Sequence, residues 1–139
     1  MSVRSQLSTH VLDSVTGRPA AGVAVVLHGA DHPDGSGGSD GGAGRGAGTG
    51  WRVLASGVTD ADGRLADLGP AELTPGRYRV VFDTGGYFAR TQTPTLYPEV
   101  IVSLDLAAPV PGSGPGAEPT HVHVPLLLSP FAYSTYRGS

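Results

Sequence analysis

The chain reads as an all-β sandwich. Eight short stretches alternate apolar and polar residues with the two-residue period of a strand. Residues that favour turns separate nearly all of them, and only one short segment breaks the alternation in a way that suggests a helix. Many short strands with closely spaced turn signals point to two packed antiparallel sheets, and nothing suggests strands alternating with long helices.

Residues 6–13, QLSTHVLD, open the pattern, with Leu7, Thr9 and Val11 on one face and Ser8, His10 and Leu12 on the other. Ser14 to Pro19 supplies the Gly and Pro of a turn. Residues 22–28, GVAVVLH, are apolar on both faces, as expected of a covered strand. Gly29 to Gly50 is about half glycine with almost nothing to bury, so it reads as a long loop inserted at a hairpin tip. It lacks the GK[ST] or GxGxxG setting of a phosphate-cradling loop.

Trp51 to Thr59 restores strand character, and Asp60-Ala61-Asp62-Gly63 is a tight turn with glycine at its left-handed position. Arg64 to Leu68 is expected to return beside Trp51–Thr59 as a short partner strand. The Asp-x-Asp-Gly sequence also suits a calcium loop, but the later ligands and the closing Glu are missing. Gly76 to Asp83 places Tyr78, Val80 and Phe82 inward and Arg77, Arg79 and Asp83 outward. Gly85 to Thr91 is the candidate helix, stopped before Pro94. Glu99 to Leu106 buries Val100, Val102, Leu104 and Leu106. Ala107 to Pro119 is a Pro/Gly-rich linker, and a last pair of strands, near 120–128 and 132–137, hinges at Ser129-Pro130.

At 139 residues one domain is expected, interrupted by the segments 29–50 and 107–119. The net charge of −3 and the absence of a basic cluster argue against a nucleic-acid partner. No cysteine is present, which excludes disulfides, thiolate catalysis and Cys-ligated zinc. No apolar run approaches the ~20 residues of a membrane span, and the first ten residues have no secretory core. A cytoplasmic protein without a membrane partner is the resulting expectation.

Chemistry is expected where polar residues interrupt apolar strands. His121 and His123, two apart, share one strand face; His10 interrupts a strand near the other end of the chain; Arg64 opens a strand after a tight turn. Taken singly, each is more often a hydrogen-bonded, rim or edge residue than a functional one. His10, His121 and His123, with His28 and His32 in reserve, could also form a zinc site, but no patterned carboxylates stand ready to orient them. No metal and no cofactor is therefore expected.

The motifs narrow this further. LSTHVLD at 7–13, GRPAAGVAV at 17–25, TDADGR at 59–64, Tyr87-Phe88, YPEV at 97–100 and above all HVHVPLLLSPFAYSTYRGS at 121–139 resemble the 5-hydroxyisourate hydrolases, the transthyretin-related enzymes of urate breakdown. The resemblance covers both ends and most of the middle, but neither Gly/Pro-rich segment. Val122 stands where the family usually has an aromatic, on the opposite strand face from the histidines.

That likeness implies a transthyretin sandwich of two four-stranded sheets with one short helix. It also implies a homotetramer with active sites at the dimer–dimer interface. It assigns catalysis to His10, Arg64, His123 and Ser139, and substrate contacts to His10, Arg64, Tyr136, Arg137 and Gly138. The implied reaction is hydrolysis of 5-hydroxyisourate to 2-oxo-4-hydroxy-4-carboxy-5-ureidoimidazoline, with a histidine activating water and an arginine stabilising the oxyanion. The alternatives are a non-catalytic transthyretin-like binder of a small ligand and a structural domain whose histidines are merely packed. The related hormone carrier lacks the terminal Tyr-Arg-Gly-Ser and this histidine set, and fold alone cannot separate the two.

Overall fold

A computed structural model describes residues 5–30, 50–107 and 120–138. Nine strands and one helix follow one another: β1 Leu7–Asp13, β2 Arg18–Pro19, β3 Ala24–Ala30, β4 Trp51–Val58, β5 Arg64–Leu65, β6 Gly76–Phe82, α1 Thr84–Ala89, β7 Val100–Leu106, β8 Val122–Ser129 and β9 Ala132–Thr135. One sheet has the order β2-β1-β8-β9, with β5 also on β1; the other has the order β4-β3-β6-β7. The pairs are antiparallel except β1 with β8, which is parallel. This is the sandwich the strand pattern leads one to expect.

The inner faces meet in one core. Leu7 and Val11 of β1, Leu126 and Leu128 of β8, Val25 and Leu27 of β3, and Val80 and Phe82 of β6 are wholly buried. Each such side chain contributes ~1.5–3 kcal/mol of transfer free energy. Because successive strand residues face opposite ways, packing Leu7, Thr9 and Val11 inward forces Ser8 and His10 outward. Thr9 is satisfied inside the core by donating to the Val124 carbonyl at 2.6 Å.

Three details depart from the sequence reading. β5 pairs with β1, not with β4. The turn carries the chain from one sheet to the other, where the β1 edge away from β8 has backbone groups to satisfy, and Val11 N–H donates to the Gly63 carbonyl at 2.8 Å. Gly63 (φ +74°) permits this approach, since a Cβ there would lie 2.4 Å from the Val11 oxygen. Second, β3 runs on through Gly29 and Ala30 and is covered on one face only; Val26 and His28 stay half-exposed on the other. Third, Arg18–Pro19, read as turn, adds a two-residue strand to β1.

β3 and β4 form a hairpin with Ala30 opposite Trp51. The glycine-rich segment expected at its tip and the linker before residue 120 lie, but for a few bounding residues, outside the described residues. The helix is capped by Asp83, which accepts from Gly86 N–H at 3.0 Å. It is tied to β1 by the Tyr87 hydroxyl donating to Asp13 Oδ2 at 2.8 Å. Burial, then that bond, pushes the Tyr87 phenol up to about 12. No helix among the described residues is long and apolar enough to cross a membrane.

Candidate active site

Strand register brings the polar residues of the first sheet together. In the parallel β1–β8 pair Ser8 lies opposite His123 and His10 opposite Pro125; in the β1–β5 pair His10 lies opposite Arg64. Beyond β9 the chain keeps its register against β8, so Gly138 faces His123 in an isolated bridge and donates its N–H to the His123 carbonyl at 2.8 Å. Ser8, His123 and Gly138 thus form one row across three adjacent segments. Arg64, His10 and Pro125 form the next row, and Tyr136, two residues before Gly138, projects to the same side. Residues from positions 8 to 138 converge on one outward face.

The turn that delivers Arg64 is built by Asp60. Its Oδ1 accepts from the backbone N–H groups of Asp62 and Arg64, both at 2.9 Å, and its own N–H donates to the Arg64 carbonyl at 2.9 Å. The Arg64 N–H bond is the main reason the Asp60 carboxyl is held below its ordinary value. The Arg64 side chain itself is exposed and hydrogen-bonds to no side chain among the described residues.

The histidines are held more tightly. Ser8 Oγ lies 2.8 Å from His121 Nε2 and 2.8 Å from His123 Nδ1, while His121 Nδ1 lies 3.1 Å from the Ser5 carbonyl. His123 is pushed below the ordinary imidazole value, first by burial, then by its electrostatic interaction with His10, His121 and Arg64. The shift favours its neutral form, the form that can accept a proton. Gly138 is required beside it: a Cβ there would sit 2.6 Å from His123 Cδ2.

Of the expected site residues, the fold brings His10, Arg64, His123, Gly138 and Tyr136 to one neighbourhood, with Arg137 exposed between the last two; Ser139 lies outside the described residues. A cleft of about 320 Å³ opens between β7 and the β8–tail edge and is lined in part by His123, Tyr136 and Arg137. It does not reach His10 or Arg64, which stand on the open outer face. Zinc ligation would need the imidazole nitrogens to converge on one point, and no three His, Cys, Asp or Glu side chains do so among the described residues. Instead His121 and His123 converge on the Ser8 hydroxyl. Ser8 carried no special signal in the sequence beyond sharing the His10 face.

His28 belongs elsewhere. It accepts from Arg79 Nε at 3.1 Å on the outer face of the second sheet, where the Arg79 guanidinium lies 4.4 Å from the centre of the Trp51 ring. His32 lies outside the described residues.

The model of the HIUase/Transthyretin family matches residues 7–138. The chain belongs to that family. A curated relative from Salmonella dublin, named 5-hydroxyisourate hydrolase, is 41% identical over 134 residues, covering 96% of this chain and 80% of the relative. The structure of Klebsiella pneumoniae 5-hydroxyisourate hydrolase superposes with a TM-score of 0.69 at 33% identity, over 96% of this chain and 98% of that one. Sea bream transthyretin in complex with thyroxine superposes as well, with a TM-score of 0.71 at 31% identity over 96% of this chain and 94% of that one. A protein named as a hydrolase and a transthyretin in complex with thyroxine share this fold, so fold alone does not separate catalysis from binding.

Proposed function

We propose that the protein is a 5-hydroxyisourate hydrolase of urate catabolism, converting its substrate to 2-oxo-4-hydroxy-4-carboxy-5-ureidoimidazoline. The observation that carries this reading is the gathering of His10, Arg64, His123 and the Tyr136–Gly138 tail on one outer face. Relatives at 33–41% identity that bear the hydrolase name support it.

In this mechanism neutral His123, with His10, orients a water and takes its proton. The water oxygen bonds to a ring carbonyl carbon, and the carbonyl oxygen becomes an oxyanion. Arg64, permanently charged and able to donate two parallel bonds, neutralises that oxygen. The ring C–N bond then breaks and the nitrogen leaves with a proton returned from the imidazolium. Tyr136, Arg137, Gly138 and Ser139 hold the ring in place.

The site belongs to a homotetramer in this reading. Among the described residues the outer face of the first sheet has no opposing wall, all of β9 is exposed, and Phe131 and Tyr136 are 65% and 60% exposed. A symmetric neighbour would cover these aromatics and close the site. Sedimentation equilibrium should return four chains per particle.

The decisive assay follows freshly generated 5-hydroxyisourate by its absorbance, with and without the protein. The expected result is decay well above the spontaneous rate, reduced ~10²–10⁴-fold in kcat by His123→Ala, the ordinary contribution of general-base catalysis. Decay at the spontaneous rate from a folded tetramer would instead favour a transthyretin-like binder.

A further inference from the structure

Ser8 and His121 are outside the set of residues assigned above, yet together they determine which nitrogen of His123 is free to act. We infer that Ser5, His121 and Ser8 form a directional hydrogen-bond chain that locks His123 in the Nδ1–H tautomer, leaving the Nε2 lone pair as the base. The inference rests on the hydrolase reading for its catalytic consequence, but the tautomer can be measured without it.

The direction follows from the donor and acceptor capacities of each group. The Ser5 carbonyl can only accept, so the His121 Nδ1 that lies 3.1 Å away must carry a proton. In a neutral ring, His121 Nε2 is then an acceptor. The Ser8 hydroxyl, 2.8 Å from it, has one proton to give and gives it there. With that proton committed, Ser8 Oγ can only accept from His123 Nδ1 at 2.8 Å, which therefore is the N–H. One nitrogen of His123 remains, and it bears a lone pair.

The surroundings suit this state. Ser8 is only 8% exposed, so water does not compete strongly for its hydroxyl. The groups facing His123 are His10, His121, Arg64 and the backbone of Gly138, and no carboxylate among the described residues draws a proton onto the ring. Gly138 stands beside Cδ2, the carbon next to Nε2, where any Cβ would crowd the ring. A carboxylate performs the equivalent orienting task in a Ser-His-Asp triad, where loss of the correct tautomer lowers kcat by ~10⁴. Here a hydroxyl and a second imidazole do so without adding negative charge. Ser8 and His121 are thus positioning residues, acting through His123.

The test replaces the last acceptor. In His121→Phe the Ser8 proton has no outlet and turns toward His123 Nδ1, moving the ring proton to Nε2. Nitrogen-15 NMR of the histidine rings, above the acid limb of activity, should show His123 as Nδ1–H in the native protein and Nε2–H in His121→Phe. The accompanying kcat should fall ~10²–10⁴-fold with KM within about threefold. His121→Gln, whose side-chain carbonyl can still accept from Ser8, should restore the Nδ1–H form and most of the rate. Ser8→Ala should lose the rate while His121 stays bound to Ser5.

An Nε2–H ring in the native protein, or a tautomer indifferent to His121→Phe, would overturn the chain. A tautomer that flips while kcat holds would overturn its role in positioning. Should His121→Phe not fold, the Gln and Ala variants carry the same comparison. If the ring behaves as described but native protein does not accelerate substrate decay, the relay stands and the hydrolase reading falls.

Discussion

Each sheet presents an arginine and a histidine on its outer face, and the two pairs behave differently. On the second sheet Arg79 donates to His28 and stacks on Trp51, so the three side chains engage one another. Among the described residues Arg64 on the first sheet makes no side-chain hydrogen bond, and the His123 ring is bonded at Nδ1 only, through Ser8. Burial is similar, since His28 and His123 are both half-exposed and both shifted below the ordinary imidazole value. A shifted histidine therefore does not by itself mark a site. Unused hydrogen-bonding capacity on side chains that strand register gathers on one face is the better mark.

The largest way to break this contrast is at the arginines. Arg64→Gln should lower kcat ~10²–10³-fold, the usual result of removing an oxyanion partner. Arg79→Gln should leave kcat within about twofold, as should His28→Ala. Steady-state rates on 5-hydroxyisourate check all three, and equal losses at Arg64 and Arg79 would erase the distinction.

A smaller effect is expected at the tail. Gly138→Val places branched atoms where even a Cβ lies 2.6 Å from His123 Cδ2, so the ring or the tail must shift. Catalytic geometry is sensitive at this scale, and a loss of ~10²-fold or less is expected. The melting temperature should barely move, because Gly138 lies beyond the last strand of the sheet. A variant with native kcat would remove the tail from the site.

The subtlest comparison is in pH. His123 must be neutral to act as a base, and burial, then the neighbouring His10, His121 and Arg64, hold it below the ordinary imidazole value of 6.5. The acid limb of kcat/KM should therefore lie below 6.5 in the native protein, with activity lost as pH falls through it. In the residual activity of Arg64→Gln the permanently charged member of those neighbours is gone, so the limb should move upward. Titrating kcat/KM against pH in both proteins tests the sign; a downward move would exclude Arg64 from the surroundings of the base.

Much of this is legible in the sequence. Alternation in 6–13 and 76–83 placed Leu7, Thr9, Val11, Tyr78, Val80 and Phe82 inward, and they are buried. The spacing of His121 and His123 placed them on one face, and both reach Ser8. Pairing across the sandwich was not legible. The Asp60–Gly63 turn reads in sequence as a hairpin returning to β4, because turn residues specify a local reversal but not which edge receives the outgoing strand. Only the unsatisfied edge of β1 decided that Arg64 would arrive beside His10.

Ser8 shows the same limit at the level of one residue. Period-two patterning says which way it points, and the sequence shows that a histidine follows two residues later. It does not say that a parallel partner 115 residues away will set His123 opposite it. The sequence by itself determined strand content, inward faces and the residue types available for chemistry, because these follow from periodicity and propensity within short windows. The tertiary structure alone decided register across β5, β1, β8 and the tail, and with it which nitrogen of which histidine is left free. Long-range pairing is selected by the packing of the whole core, which no local window contains.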